Sequence, residues 1–124
     1  MVRRMYEAFQ RGDTEASLAH FDPDVDIDVS RRGVGGMGRG REDLSRIVGE
    51  WVVAWDDWSE EIEEIRDLGS QVLVIAIQRG RGKGSGVEVT NRYALLYELT
   101  GDKISRMTGY GNPNEALEAA GLSE

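Results

Sequence analysis

The chain has 124 residues, no cysteine, one histidine and a formal net charge of −8 at pH 7. That length fits one domain, residues 1–124, able to bury a single core without a staple, and the missing cysteines exclude disulfides, thiolate metal sites and cysteine nucleophiles. A lone histidine excludes a polyhistidine metal site, and the negative charge argues against nucleic acid as a partner, although arginines gather at Arg31, Arg32, Arg39 and Arg41 and again at Arg79 and Arg81.

Met1-Val-Arg-Arg-Met-Tyr-Glu-Ala-Phe carries charges where a signal peptide needs an unbroken apolar run, and no later window approaches about eighteen apolar residues. The expectation is a soluble, cytoplasmic chain with no membrane partner. Val2, Met5, Tyr6 and Phe9 recur at i, i+3, i+4 and i+7, which predicts a short helix ended by Gly12 in a left-handed cap. A second helix follows, with Asp13 as its N-cap and Leu18 and Phe21 as its buried side, before Asp22-Pro-Asp24 turns the chain. His20 sits beside that face; it reads as a partly buried histidine bonded to a neighbour, because no carboxylate stands at helical spacing to orient it for catalysis.

Val25-Asp-Ile-Asp-Val29 alternates as a strand, so the parity that turns Val25, Ile27 and Val29 to the core turns Asp26 and Asp28 away from it. Only a bulge would bring Asp28 inward. The loop that follows holds Gly33-Val-Gly-Gly-Met-Gly38, formally GxGxxG after a strand. Arg39-Gly-Arg41 then delays the helix, and the chain lacks repeated strand–helix–strand alternation, so the dinucleotide reading is weak. No cofactor and no metal are expected.

Leu44, Ile47, Val48, Trp51, Val52 and Trp55 form the best helical stripe, predicting a helix that places two tryptophans one turn apart against a sheet or a ligand cavity. The rest reads as a meander. Trp58 to Leu68 is a strand with an irregular pattern whose spacing of three also fits a helix, and Val72 to Ile77 is an apolar run covered on both faces. Gly80-Arg-Gly-Lys-Gly-Ser-Gly86 is a flexible hairpin rather than a phosphate loop, since no Gly-Lys-Ser/Thr triplet occurs in it.

Val87 to Leu99 alternates along its whole length, with Val87, Val89, Asn91, Tyr93, Leu95, Tyr97 and Leu99 on one face. At about 3.3 Å per residue such a strand spans roughly 43 Å, so it must bend or twist along a sheet. Ala94 and Leu96 interrupt the polar outer face, which argues for a homodimer contact there. Thr100-Gly-Asp-Lys103 makes a tight turn into a strand from Ile104 to Gly111. Asn112, Pro113 and Glu115 mark the start of a last helix, stopped by Gly121 with Leu122 folding back on Leu117.

Taken in order, Met5-Tyr-Glu-Ala-Phe-Gln-Arg-Gly-Asp13, Phe21-Asp-Pro-Asp-Val25, Glu50-Trp-Val-Val-Ala-Trp55, Gly80–Gly86, Gly101-Asp-Lys-Ile104 and Glu115-Ala-Leu-Glu-Ala-Ala-Gly-Leu122 resemble the SnoaL-like polyketide cyclases of the nuclear transport factor two-like superfamily, which also holds the ketosteroid isomerases. The resemblance implies an α+β cone: a strongly curved antiparallel sheet wrapped around N-terminal helices, a short C-terminal helix, a pocket for a small apolar molecule, and a homodimer. The pocket lining expected from periodicity is Val29, Trp51, Trp55, Asn91, Tyr93 and Leu95.

The relatives' catalytic residues do not carry over. Leu95 stands where similar cyclases place a histidine, Gly109 where they place an acid, and Val29 where ketosteroid isomerases place their aspartate; Met5 aligns near their tyrosine. Tyr6 and Asp28 are each one residue off, which turns a side chain to another face. Both activities are therefore expected to be absent. Three readings remain open: an enzyme of unknown reaction using polar groups such as Asn91, Tyr93, Tyr97 and Gln78, a non-catalytic binding module, and a dimerising domain whose cavity is merely packed.

Overall fold

The structure, a computed structural model, describes residues 2–30, 36–53 and 55–121. Helix α1 (Val2–Gln10) buries Val2, Met5, Tyr6 and Ala8, and Gly12, at φ +83°, closes it by donating its N–H to the Phe9 carbonyl. Asp13 accepts from the Ala16 N–H at 3.1 Å and caps α2 (Thr14–Leu18).

Six strands form one sheet in the order β2-β1-β6-β5-β4-β3: β1 (Phe21–Asp28), β2 (Met37–Arg39), β3 (Trp55–Asp67), β4 (Gln71–Gly82), β5 (Glu88–Thr100) and β6 (Lys103–Tyr110). Every pair is antiparallel except β1 with β6, which the chain joins only after running through all the other strands. Asp22-Pro-Asp24, expected as a turn before the strand, lies inside β1 as a shift of register against β6 between Phe21 and Asp26. Proline has no N–H to give a ladder, so the strand bulges around Pro23 rather than breaking.

Helix α3 (Gly40–Val53) lays Leu44 and Ile47 on the inner face of the sheet, where with α1 they meet Val25, Ile27, Val74, Tyr93, Tyr97, Ile104 and Met107 in the main core. Val72 to Ile77 faces both ways as expected: Val72, Val74 and Ala76 belong to this inner core, Leu73 and Ile75 to a second cluster outside.

Three further expectations are corrected. Trp55 does not continue α3, whose last residue is Val53; it opens β3 opposite Gly82. Gly80 permits this, because a Cβ there would lie only 3.1 Å from the Trp55 Cβ, so the indole rests where any other residue would stand. Sheet pairing has overridden a helical period.

The long strand keeps its parity, yet only its middle is covered. Tyr93, Leu95 and Tyr97 are buried, whereas Val87 is 59% exposed and Asn91 is exposed, because the β4–β5 hairpin runs on past the core. Ala94 and Leu96 are not an open outer patch. With Leu73, Ile75 and Tyr110 they are covered by Ala116 and Leu117 of α4 (Pro113–Ala119), so their apolar character is explained within one chain. Asn112 caps α4 by accepting from the Asn114 N–H, with Pro113 at the start, as the sequence predicts; Leu122 lies outside the described residues.

Finally, β3 is a strand with two register shifts against β4, one between Asp56 and Ser59 and one between Ile62 and Glu64. Each inserts a residue, so the side chains three apart, Trp55 and Trp58 and then Ile62 and Ile65, can return to the same face. That is the physical origin of the irregular pattern.

Candidate functional site

Between α1, α2, α3 and the inner face of the sheet lies a cavity of about 860 Å³. Met5, Tyr6 and Phe9 come from α1, Leu44, Ile47, Val48 and Val52 from α3, Trp55, Trp58 and Glu60 from β3, and Tyr93, Leu95 and Tyr97 from β5. Amphipathic helices and an alternating sheet face produce such a lining wherever they meet at an angle and leave the space between them unfilled.

Of the residues expected to line the pocket, Val29, Trp55, Tyr93 and Leu95 border the cavity. Asn91 does not; it shares their face but stands on the exposed arm of the hairpin. The Trp51 side chain lies outside the described residues, as do Arg31, Arg32, Gly33, Val34 and Gly35 of the glycine-rich loop. Asp28 stays off the cavity and accepts hydrogen bonds from the Ser30 N–H and hydroxyl. His20 is absent from the lining as well; partial burial first, then the N-terminal amine, Lys103 and Arg4, hold its pKa below the ordinary 6.5.

Two acids border the cavity: Glu50, exposed and paired with Arg46 at 3.6 Å, and Glu60. Tyr93 donates its hydroxyl hydrogen bond to Glu60 Oε2, while Oε1 is buried, and Gln10 donates to the Glu60 carbonyl at 3.2 Å. Beside Glu60 in the β3–β4 register stands Gln78, wholly buried. Neither amide atom of Gln78, nor the buried indole N–H of Trp58, finds a hydrogen-bond partner among the described residues. Buried polar groups left unsatisfied cost about 1–3 kcal/mol each; of these two residues only Trp58 borders the cavity, so an acceptor arriving beside its indole N–H gains most. A second recess of about 330 Å³ shares Glu60 and is bordered by Arg3, Glu7 and Glu61.

Sequence reading missed Glu60 because it stands in a run of acids and because the strand's parity is reset on both sides of it. The one available signal was its spacing of two from Trp58 and Ile62. Deeper in the cavity the hydroxyls of Tyr6 and Tyr97 meet at 2.6 Å and their rings pack edge to face. Leu95 lies directly opposite Gly109 across β5 and β6, so the two positions aligned with the cyclases' histidine and acid face one another here as a leucine and a glycine. Among the described residues no group of three or more histidine, aspartate or glutamate side chains is placed to hold a metal ion.

The SnoaL-like domain family matches residues 2–107. This chain belongs to that family. Among its relatives, an uncharacterized protein of Mycobacterium tuberculosis is 29% identical over 120 residues, 96% of this chain and 92% of that protein. The SnoaL-like chain also shares its fold with solved structures. An NTF2-like protein of Burkholderia thailandensis superposes with a TM-score of 0.81 at 20% identity, covering 98% of this chain and 95% of the other. One of unknown function from Burkholderia pseudomallei gives 0.77 at 21%, covering 94% and 92%. A protein of ketosteroid isomerase-like fold from Catenulispora acidiphila, solved in complex with trimethylamine, gives 0.75 at 20%, covering 98% and 92%. The curved-sheet α+β fold that the resemblance implies is the one these structures share.

Proposed function

We propose that this SnoaL-like domain binds a small, largely apolar molecule in its cone cavity and fixes it by the polar corner at Glu60 and Tyr93. One observation carries the reading: a cavity of about 860 Å³ walled mainly by aliphatic and aromatic side chains holds a single hydrogen-bonded carboxylate–phenol pair. Small-molecule sites have this make-up, with apolar walls supplying affinity and a few polar groups supplying orientation.

A catalytic version of the same reading rests on Glu60, the one of the two bordering carboxylates that Tyr93 hydrogen-bonds. The relatives' own chemistry has no counterpart here, since Leu95, Gly109 and Val29 cannot accept a proton. We therefore expect neither isomerisation of a Δ5-3-ketosteroid nor cyclisation of an aromatic polyketide precursor, and no effect of Asp28→Asn in either assay. Turnover abolished by that substitution would overturn the strand register as well as this expectation.

The binding reading is tested by native mass spectrometry of purified protein for a retained ligand, and by titration with a neutral apolar dye. Saturable uptake weakened at least about fivefold by Leu95→Arg, which buries a charge in the cavity wall, supports it. Uptake indifferent to that substitution would place the binding elsewhere. Homodimer formation is proposed on the family resemblance alone, α4 having covered the Ala94–Leu96 patch. Residence in the cytoplasm belongs to the same reading; no helix among the described residues is long and apolar enough to cross a membrane.

A further inference from the structure

The cavity's walls are one-sided in charge. Among the described residues that border it there is no lysine, arginine or histidine, and two are acids, Glu60 and Glu50. They differ in setting. Glu50 stands exposed at the rim with Arg46 at 3.6 Å, whereas Glu60 has a buried carboxylate oxygen and is held in place by Tyr93. Arg3 borders the smaller recess, which shares Tyr6, Gln10 and Glu60 with the cavity, and does not line the cavity itself.

Aromatic rings line the same cavity as the acid. Trp58 stands two residues before it on β3 and packs edge to face on Phe9 with centroids 5.9 Å apart; Trp55 and Tyr93 complete the aromatic side. Ring faces carry negative charge density and attract cations, and a carboxylate inside a low-dielectric space attracts them far more strongly than one in water. The same field repels an anion.

We propose that the ligand of this cavity is an organic amine taken up as its cation, with the ammonium group at Glu60 and Tyr93 and an apolar body against Trp55, Trp58 and Phe9. The inference rests on the reading of the cavity as a ligand site and names its chemical class. A carboxylate alone would serve a ligand hydroxyl as well; the absence of a basic side chain among the described residues that line the cavity, together with the aromatic walls, is what favours the cation.

The test is a matched series on one skeleton, 2-(2-naphthyl)ethylamine, 2-(2-naphthyl)ethanol and 3-(2-naphthyl)propionate, titrated calorimetrically into the wild type at neutral pH. The amine should bind at least about tenfold tighter than the alcohol, and the carboxylate weakest. Glu60→Gln should abolish the preference, so that amine and alcohol bind that variant alike, while Tyr93→Phe, which keeps the charge, should preserve it. The wild-type series decides the question even where a variant fails to fold. Equal or tighter binding of the alcohol or the carboxylate overturns the amine proposal and leaves the ligand site standing. Absence of binding by all three and by a neutral apolar dye overturns both.

Discussion

The hydroxyls of Tyr6 and Tyr97, 2.6 Å apart and buried, tie the first helix to the middle of the long strand across 91 residues of sequence. A net hydrogen bond of this kind contributes about 0.5–1.5 kcal/mol, and stranding one partner costs up to about 3. Tyr6→Phe should therefore lower unfolding free energy by about 1–2 kcal/mol, and the Tyr6→Phe/Tyr97→Phe pair should fall short of the sum of the singles. Denaturant titration of the four proteins reads the coupling; strict additivity would mean the two hydroxyls do not act together. His20 gives a pH dependence whose sign follows from its lowered pKa. The unfolded chain takes up a proton near pH 6.5, the folded one only at lower pH, so this stability is complete above about 6.5 and declines as the pH falls through that value. Melting temperatures at about pH 7.5 and pH 5.5 should differ less in His20→Gln than in the wild type. An equal or steeper loss in the variant would assign the effect to the carboxylates.

At the scale of elements, legibility follows the regularity of the backbone. Helix α1 with its Gly12 cap, the Asp13 and Asn112 caps and the two-faced Val72–Ile77 run could all be read, because one local rule governs each. What could not be read was any place where a second element intervenes. Two bulges reset β3 and hid Glu60; Gly80 drew Trp55 out of the helical stripe; α4 covered Ala94 and Leu96, which by strand parity alone look open to solvent. These causes can be checked. Gly80→Val would force its side chain into the Trp55 indole and should cost about 1–3 kcal/mol, as overpacked sites do. A variant as stable as the wild type would show that Trp55 is held by something other than the glycine. Leu117→Ala, cutting the buried contact of α4 with the outer sheet face, should cost about 2–4 kcal/mol and leave the neutral-dye uptake of the cavity intact. Loss of uptake at matched folded fraction would mean that the outer cluster supports the cavity directly.

For the whole molecule, charge decides how a second copy can approach. The outer face away from α4 is a belt of paired charges: Arg79 with Glu61 at 3.0 Å, Arg92 with Glu63 at 2.7 Å and Arg106 with Glu98 at 3.6 Å. These pairs are largely exposed and each contributes at most about 1 kcal/mol, so they neither lock the face nor prevent it from meeting its equal. The net charge of −8 is the larger obstacle. At about 0.01 M salt the Debye length is about 30 Å, longer than the roughly 14 Å radius of gyration expected for a chain of this length, so two copies repel as whole bodies. At about 0.15 M it is about 8 Å and only groups in contact interact. The proposed homodimer should therefore tighten as salt rises over this range, opposite to an association built on attraction between oppositely charged partners. Light scattering at tens of micromolar should move from near the 13.8 kDa chain mass at low salt toward twice that value at physiological salt. A mass near 13.8 kDa at both would remove the dimer, and a dimer that loosens with salt would show that complementary charges, not apolar contact, hold the copies together.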